Sequence, residues 1–416
     1  MRAGLGGGNL SQPDLPMRLI QGLTLLLPWV VVPGVANPYL EPRSLLLTLG
    51  LWGIVWWGLT QTPHTTLVLA NPWLPWLGFY VIASNAFIFQ WRYLQRTASD
   101  TVIIQNSYVW EPTVGFSIAL LAAYIMATRF LQTMVAVQHL TQWFTLSLLL
   151  TCLYGLGQWV GLDQFYVQGT SGGVMGHLWS GLRGSFGNPE HFGLYLALLC
   201  PLLLLFAGRK SLMVFALLMG VLYLTYSKGS WLIAAITLST YGFLRGWTQT
   251  TRWWRVALVA VTGIGLVCLG YGVFSLAVGD ERVTLWQTVW GFLDAKQPGG
   301  SVKAVASWTG RGLGSFALLM SRQPDEWLRQ TTWAHNEWLQ GLMQLGVIGV
   351  LLVGGVVAWT TRRAWQRAQT SLIDQGWLSV WMGWLASSVI YPVAHWPHLI
   401  WIGLCAWSVF ERGEGV

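Results

Sequence analysis

Residues 335–363 read HNEWLQGLMQLGVIGVLLVGGVVAWTTRR, and the fold turns on them. From Asn336 to Trp359 the run supplies the roughly 20 predominantly apolar residues that a bilayer-crossing helix needs. His335, Asn336 and Glu337 stand at its start, and Arg362, Arg363 and Arg367 follow its end. Working outward, comparable runs recur near 17–36, 44–62, 72–91, 113–131, 141–161, 189–208, 211–227, 229–245, 255–278, 375–392 and 397–411. The pattern predicts an all-α polytopic membrane protein of about twelve transmembrane helices, forming one integral domain over 1–416.

Composition points the same way. Only 9% of the 416 residues are charged and 54% are hydrophobic, whereas roughly 25% of an ordinary soluble domain is charged. That excludes a water-soluble globule. A net charge of +8 would invite nucleic acid in a soluble chain, but Lys and Arg here are dispersed at the ends of apolar runs, as orientation signals are. No nucleic-acid partner is expected. Cys152, Cys200, Cys268 and Cys405 each lie inside an apolar run without metal-ligand spacing, so they read as small core residues. The first run, Leu19 to Val35, lacks a small-residue cleavage site and is long enough to span, so an uncleaved helix is expected there.

With the N-terminus placed inside, the inner side collects twelve basic residues against four acidic ones, and the outer side carries eleven of each. The connections 245–255 and 360–374 hold much of the inner surplus, in keeping with the positive-inside rule. Two long connections fall outside: a smaller periplasmic loop, 162–188, and a large one, 279–334. Long ordered loops commonly carry function. Within the second, Val283, Trp286, Val289, Trp290 and Leu293 recur at helical spacing, which predicts a short amphipathic helix on the outer leaflet. Many of the 29 tryptophans sit near span ends, among them Trp56, Trp57, Trp73, Trp76, Trp253, Trp254, Trp396 and Trp401, where they read as interfacial anchors.

The potentially cationic side chains Arg183, Lys228, Arg282 and His335 lie in or beside polar breaks that this map puts on one face. A cluster of that kind suits an anionic ligand. Arg183 precedes a helix beginning at Pro189 with Asn188 as its cap; an arginine there offers a phosphate a bidentate cation beside backbone donors. His191 reads as a helix-face residue. Lys228, in a tight Ser-Lys-Gly-Ser break, either snorkels to water or is held near the bilayer edge. Arg282 follows Asp280 and Glu281 and could pair with them. Arg311 stands in a glycine loop that lets backbone approach a ligand or fold back. His335, with Asn336 and Glu337 beside it, is an ionisable group at a water–lipid boundary that could take a proton from an attacking hydroxyl near neutral pH. No Walker loop, acidic cluster or His/Cys metal spacing appears.

On the segments 183–192, 225–231, 282–286, 310–316 and 335–346, the chain resembles the O-antigen ligase and polymerase superfamily of bacterial envelope glycan transferases. The resemblance covers about 140 to 360. It implies a metal-independent, inverting transferase without cofactor, working at the periplasmic face of the inner membrane. The donor would be a glycan on undecaprenyl pyrophosphate; the acceptor would be a hydroxyl of lipid A-core or a related glycan. It also implies His335 as the catalytic histidine, with Arg183 and Arg282 on the pyrophosphate. Two positions depart from the family's pattern: Lys228 stands where arginine is common, keeping the charge but losing the fork, and Glu190 stands where asparagine is usual. A ligase gives finished glycan to lipid A-core and a polymerase gives it to another lipid-linked repeat. From another class, a transporter of a small anion or glycan would place its charged groups nearer the bilayer midplane.

Overall fold

A computed structural model describes residues 15–31, 41–60, 71–81, 115–162, 181–206, 209–249, 281–293, 308–311, 313, 315–320, 326 and 334–412. The described residues are helical, with no strand among them. The helices are α1 (Leu15–Leu26), α2 (Glu41–Thr60), α3 (74–81), α4 (Gly115–Phe130) and α5 (Met134–Trp159). Next come α6 (Pro189–Leu204), α7 (Arg209–Leu224), α8 (Lys228–Gln249), α9 (Glu281–Leu293) and α10 (Ser315–Met320). The chain closes with α11 (Glu337–Ala368), α12 (Leu372–Ser387) and α13 (Pro397–Glu411). Two of them, α5 and α11, are long and apolar enough to cross a bilayer unaided; α4, α6 and the Leu212–Leu224 part of α7 are apolar but shorter. The span expected at 255–278 and the 163–180 part of the smaller loop lie outside the described residues.

The helices α6, α8 and α12 form the centre, with α5, α11 and α13 against it. One buried apolar cluster runs through α1 to α8 and on through α11 to α13. The centre is close because Gly383 on α12 has no side chain: a Cβ there would overlap Thr237 of α8. Thr237 also donates its hydroxyl to the Ala197 carbonyl of α6 at 2.9 Å. Other helix pairs are pinned by single polar bonds, Trp377 to Thr141 at 2.9 Å and Trp401 to Thr24 at 3.0 Å. Cys152, Cys200 and Cys405 are buried and free, as small core residues are.

Several sequence expectations shift. Helix α11 runs to Ala368 and α8 to Gln249, so Arg362, Arg363 and Arg367 ride on helix rather than on the connection expected at 360–374. Their long stems are good helix formers, and nothing between Thr360 and Ala368 breaks the turn. Trp396 and Trp401 are 7% and 1% exposed, so they are core residues and not interfacial anchors. Trp56 and Trp76, at 70% and 65%, remain outward-facing as expected.

Inside α11 the backbone breaks at Gly346, whose φ of 70° only glycine adopts readily. The segment holding Gly310 crosses there: a Cβ on Gly310 would enter the Gln344 carbonyl, and one on Gly346 would enter Trp308. Tyr80 of α3 brings its hydroxyl within 2.6 Å of the Leu345 carbonyl and 3.0 Å of Thr309's. The break thus accounts for its own freed carbonyl. Most of the large loop's described part rests on the short arm of α11 before this break, through Leu285, Val289, Phe316, Met320, Leu339 and Met343.

The bundle has two polar ends. Gln138 and Gln158 mark the two ends of α5, and twenty residues of helix separate them by ~30 Å. Contacts tie the C-terminal end of α5 to the start of α6, the start of α11, the end of α12 and the start of α13. The opposite end gathers Arg363, Arg367, Asp374, Glu411 and Arg412, five of the sixteen charged residues expected on the inner side.

Candidate functional site

Arg183 stands just before a 3-10 turn, Gly184–Phe186, at the Gln158 end of the bundle. Three distant elements hold this turn. Gln158 accepts from the Gly184 N–H at 2.9 Å and donates to its carbonyl at 3.2 Å. Leu182 N–H donates to the Leu224 carbonyl at 2.9 Å. From α2, the Arg43 Nη2 donates to the Ser185 carbonyl at 2.5 Å and the Pro28 carbonyl at 2.8 Å, with its guanidinium carbon 4.9 Å from the Phe186 ring centre. Arg43 is 1% exposed. Asn188 caps α6 as expected, accepting the Glu190 N–H at 2.7 Å, with Pro189 in the first turn.

The Lys228 turn docks on the same surface. Ser227 caps α8 and contacts the Ser230 hydroxyl at 2.7 Å, and Ser230 donates to the Glu190 carbonyl at 3.3 Å. The backbone is therefore at the Arg183 end, but the Lys228 side chain is exposed. The snorkelling alternative describes its orientation better than a held ammonium does.

His335 is half-buried and has φ of 51°. Among the described residues, His335 and Tyr226 are the non-glycine residues with positive φ, and they lie in two of the motifs that carry candidate cations. A left-handed conformation costs an L residue about 1–2 kcal/mol, and such strain collects where geometry serves function. The flanks hold it: the Ala334 N–H donates to Gln340 Oε1 at 2.9 Å, and the Ala334 carbonyl accepts from Trp286 Nε1 at 2.8 Å. Asn336 spends its Oδ1 on the Leu339 N–H at 2.9 Å, so it caps α11. Glu337 turns its carboxylate to the α12–α13 connection, where Oε1 accepts the Ala394 N–H at 2.8 Å.

His335 lies within electrostatic reach of His191 on α6, which joins the Arg183 and His335 motifs in space. Arg282 sits in the first turn of α9, but its side chain lies outside the described residues. That helix forms as expected and buries Leu285 and Val289, while Trp290 is 57% exposed. Arg311 is placed beside the break in α11, its N–H donating to the Met343 carbonyl at 3.0 Å.

Sequence reasoning passed over three further residues at this end, Arg43, His395 and His398. His398, 3% exposed, lies 4.6 Å from the Phe186 ring and 5.9 Å from that of His191, which itself meets Trp396 at 3.5 Å between centroids. Among the described residues neither ring nitrogen of His398 has a hydrogen-bond partner, at a cost of about 1–3 kcal/mol. His395 sits 3.0 Å from Gln340 Nε2 and 3.7 Å from Glu337 Oε2. Burial pulls its imidazole down to about 3, so the ring is neutral at pH 7, with Nε2 accepting from Gln340, and no ion pair to Glu337 forms. The sequence signal was the Pro392-Val-Ala-His-Trp-Pro-His398 break, with one histidine between two prolines and a second just after the later proline. Among the described residues no three His, Cys, Asp or Glu side chains gather as metal ligands.

The chain matches no protein-family model, and a search of curated proteins finds no match. What the geometry defines is a helical bundle with a histidine- and arginine-lined end.

Proposed function

We propose that the chain is an envelope glycan transferase, crossing the bacterial inner membrane about twelve times with the His335 end facing the periplasm. Within that class we propose an O-antigen ligase, moving a glycan from undecaprenyl pyrophosphate to a hydroxyl of lipid A-core. The observation that carries the reading is that, at one end of the bundle, the strained His335 lies within electrostatic reach of His191, on the helix that follows the clamped Arg183 turn.

In this mechanism the acceptor oxygen attacks the anomeric carbon opposite the pyrophosphate, and the bond from that carbon to the pyrophosphate oxygen breaks. His335 takes the hydroxyl proton or orients it, and undecaprenyl pyrophosphate leaves. Arg183 and Arg282, with Lys228 at the rim, stabilise charge on the leaving group, a large electrostatic contribution where water is sparse. Asn188 presents the N-terminus of α6 beside Arg183. Arg311, Asn336 and Glu337 act on the surrounding backbone.

The test is incubation of purified protein with lipid-linked glycan, with and without lipid A-core. Modified core supports the ligase; chain growth without core assigns a polymerase; translocation without a covalent product assigns a transporter. Absence of transfer in both mixtures sinks the enzymatic reading.

A further inference from the structure

We propose that Gln340 and Trp286 are positioning residues for His335: by gripping both backbone polar groups of Ala334 they hold the histidine in its left-handed conformation and so aim its side chain. Ala334 is fully buried, and a buried backbone group needs a partner. Among the described residues no backbone group hydrogen-bonds to it. Its N–H donates instead to Gln340 Oε1 at 2.9 Å, and its carbonyl accepts from Trp286 Nε1 at 2.8 Å. Two side chains from two helices therefore decide where this residue lies.

The Ala334 carbonyl shares a peptide plane with the His335 nitrogen. Fixing that carbonyl fixes the plane from which the φ of 51° at His335 is set. On the other side Asn336 is held as the cap of α11: its Oδ1 accepts the Leu339 N–H at 2.9 Å and its carbonyl accepts the Gln340 N–H at 3.0 Å. Gln340 grips both neighbours of His335, one with its side chain and one with its backbone. Released from the Ala334 grip, an L residue relaxes out of the left-handed region and its Cβ turns to a new direction.

Gln340 is itself fixed in one orientation. It is 3% exposed, and because the Ala334 N–H can only donate, the amide oxygen faces Ala334 and Nε2 faces His395 at 3.0 Å. Trp286 acts from another helix, on α9 one turn after Arg282. Apolar packing of Leu285 and Val289 with Leu339 and Met343 holds α9 close to α11, but such packing is non-directional. The indole bond supplies the direction, and it registers the helix bearing Arg282 to the His335 turn. The inference rests on the reading of His335 as the group that handles the acceptor hydroxyl.

The full chain in detergent micelles is compared with Trp286→Phe, which removes the indole donor, and Gln340→Met, which keeps the side-chain length and removes the acceptor. Hydrogen exchange at the Ala334 amide should be at least about tenfold faster in Gln340→Met. For glycan transfer from the lipid-linked donor to lipid A-core, kcat should fall about tenfold in each variant, with KM for both substrates within about twofold. In a His335→Asn background neither change should lower the residual transfer further, because both act through the imidazole. A purely structural role would lower it again by the same factor. Should Gln340→Met fail to fold, Trp286→Phe, at a partly exposed position, carries the kinetic test. The proposal is overturned by unchanged Ala334 exchange in Gln340→Met, by wild-type kcat in the folded variants, by losses that multiply in the His335→Asn background, or by an equal loss in Trp290→Phe, which removes an exposed indole from the same helix. Failure of the transferase reading has its own signature: wild-type protein transfers nothing, and the Ala334 exchange contrast then decides the clamp alone.

Discussion

Arg43 and Ser185, 142 residues apart in the chain, meet through a 2.5 Å bond from guanidinium to carbonyl. The same guanidinium holds Pro28 and Val30 carbonyls, so one buried side chain fixes the end of α1, the start of α2 and the turn that presents Arg183. Replacing it with lysine keeps the charge but removes the planar fork. Arg43→Lys should lower stability by about 2 kcal/mol, because a buried carbonyl loses its donor. Thermal unfolding in detergent measures this, and glycan transfer by the same sample should fall with it. An unchanged Tm would mean the clamp is idle.

The crossing at Gly346 predicts a contrast within one helix. Gly346→Ala forces a Cβ into the Trp308 backbone at positive φ and should cost about 3 kcal/mol or more, read as loss of monodisperse protein. Gly354→Ala, whose Cβ meets nothing within 4 Å, should be neutral or stabilising by up to about 1 kcal/mol.

His335 separates backbone from chemistry. Asparagine accepts the left-handed conformation better than most residues, so His335→Asn should fold like the wild type. If the imidazole takes the proton, transfer should drop by about 10²–10⁴-fold. Transfer within a factor of two of wild type would leave His335 a purely structural residue.

His395 gives a pH dependence with a defined sign. Its imidazole is held near 3 in the folded chain, against 6.5 for a free ring. The unfolded chain therefore binds the proton first, so this stability is complete above about pH 6.5 and is lost progressively as pH falls towards 3. The loss by pH 5 amounts to at most about 2 kcal/mol. His395→Asn, which can still accept from Gln340, should show a smaller fall in Tm between pH 7.5 and 5. Parallel curves for the two proteins would remove His395 from the effect.

Helix positions were largely legible because apolar runs of fixed length need no partner to be recognised: α6 and α13 begin within the residues that Pro189 and Pro397 mark. The helix caps were also legible at Asn188, since a cap is a local event between residues two apart. The basic tail of α11 was misjudged, because charge suggested a loop where stems such as Arg367's continue a helix. Trp396 and Trp401 failed for a different reason. An indole near a span's end looks the same in sequence whether it faces lipid or packs on His191.

The sequence by itself determined the helical class, the polar breaks and the identity of Arg183, Lys228 and His335 as candidates, since composition and periodicity are properties of short windows. Only the tertiary structure decided that Lys228 points outward, that Arg43 and His398 lie buried beneath the Arg183 turn, and that Trp286 of α9 holds the residue before His335. The physical reason is separation. Each of those facts depends on which helix ends meet, and a contact such as Arg43 with Ser185 is set by the packing of every helix between them.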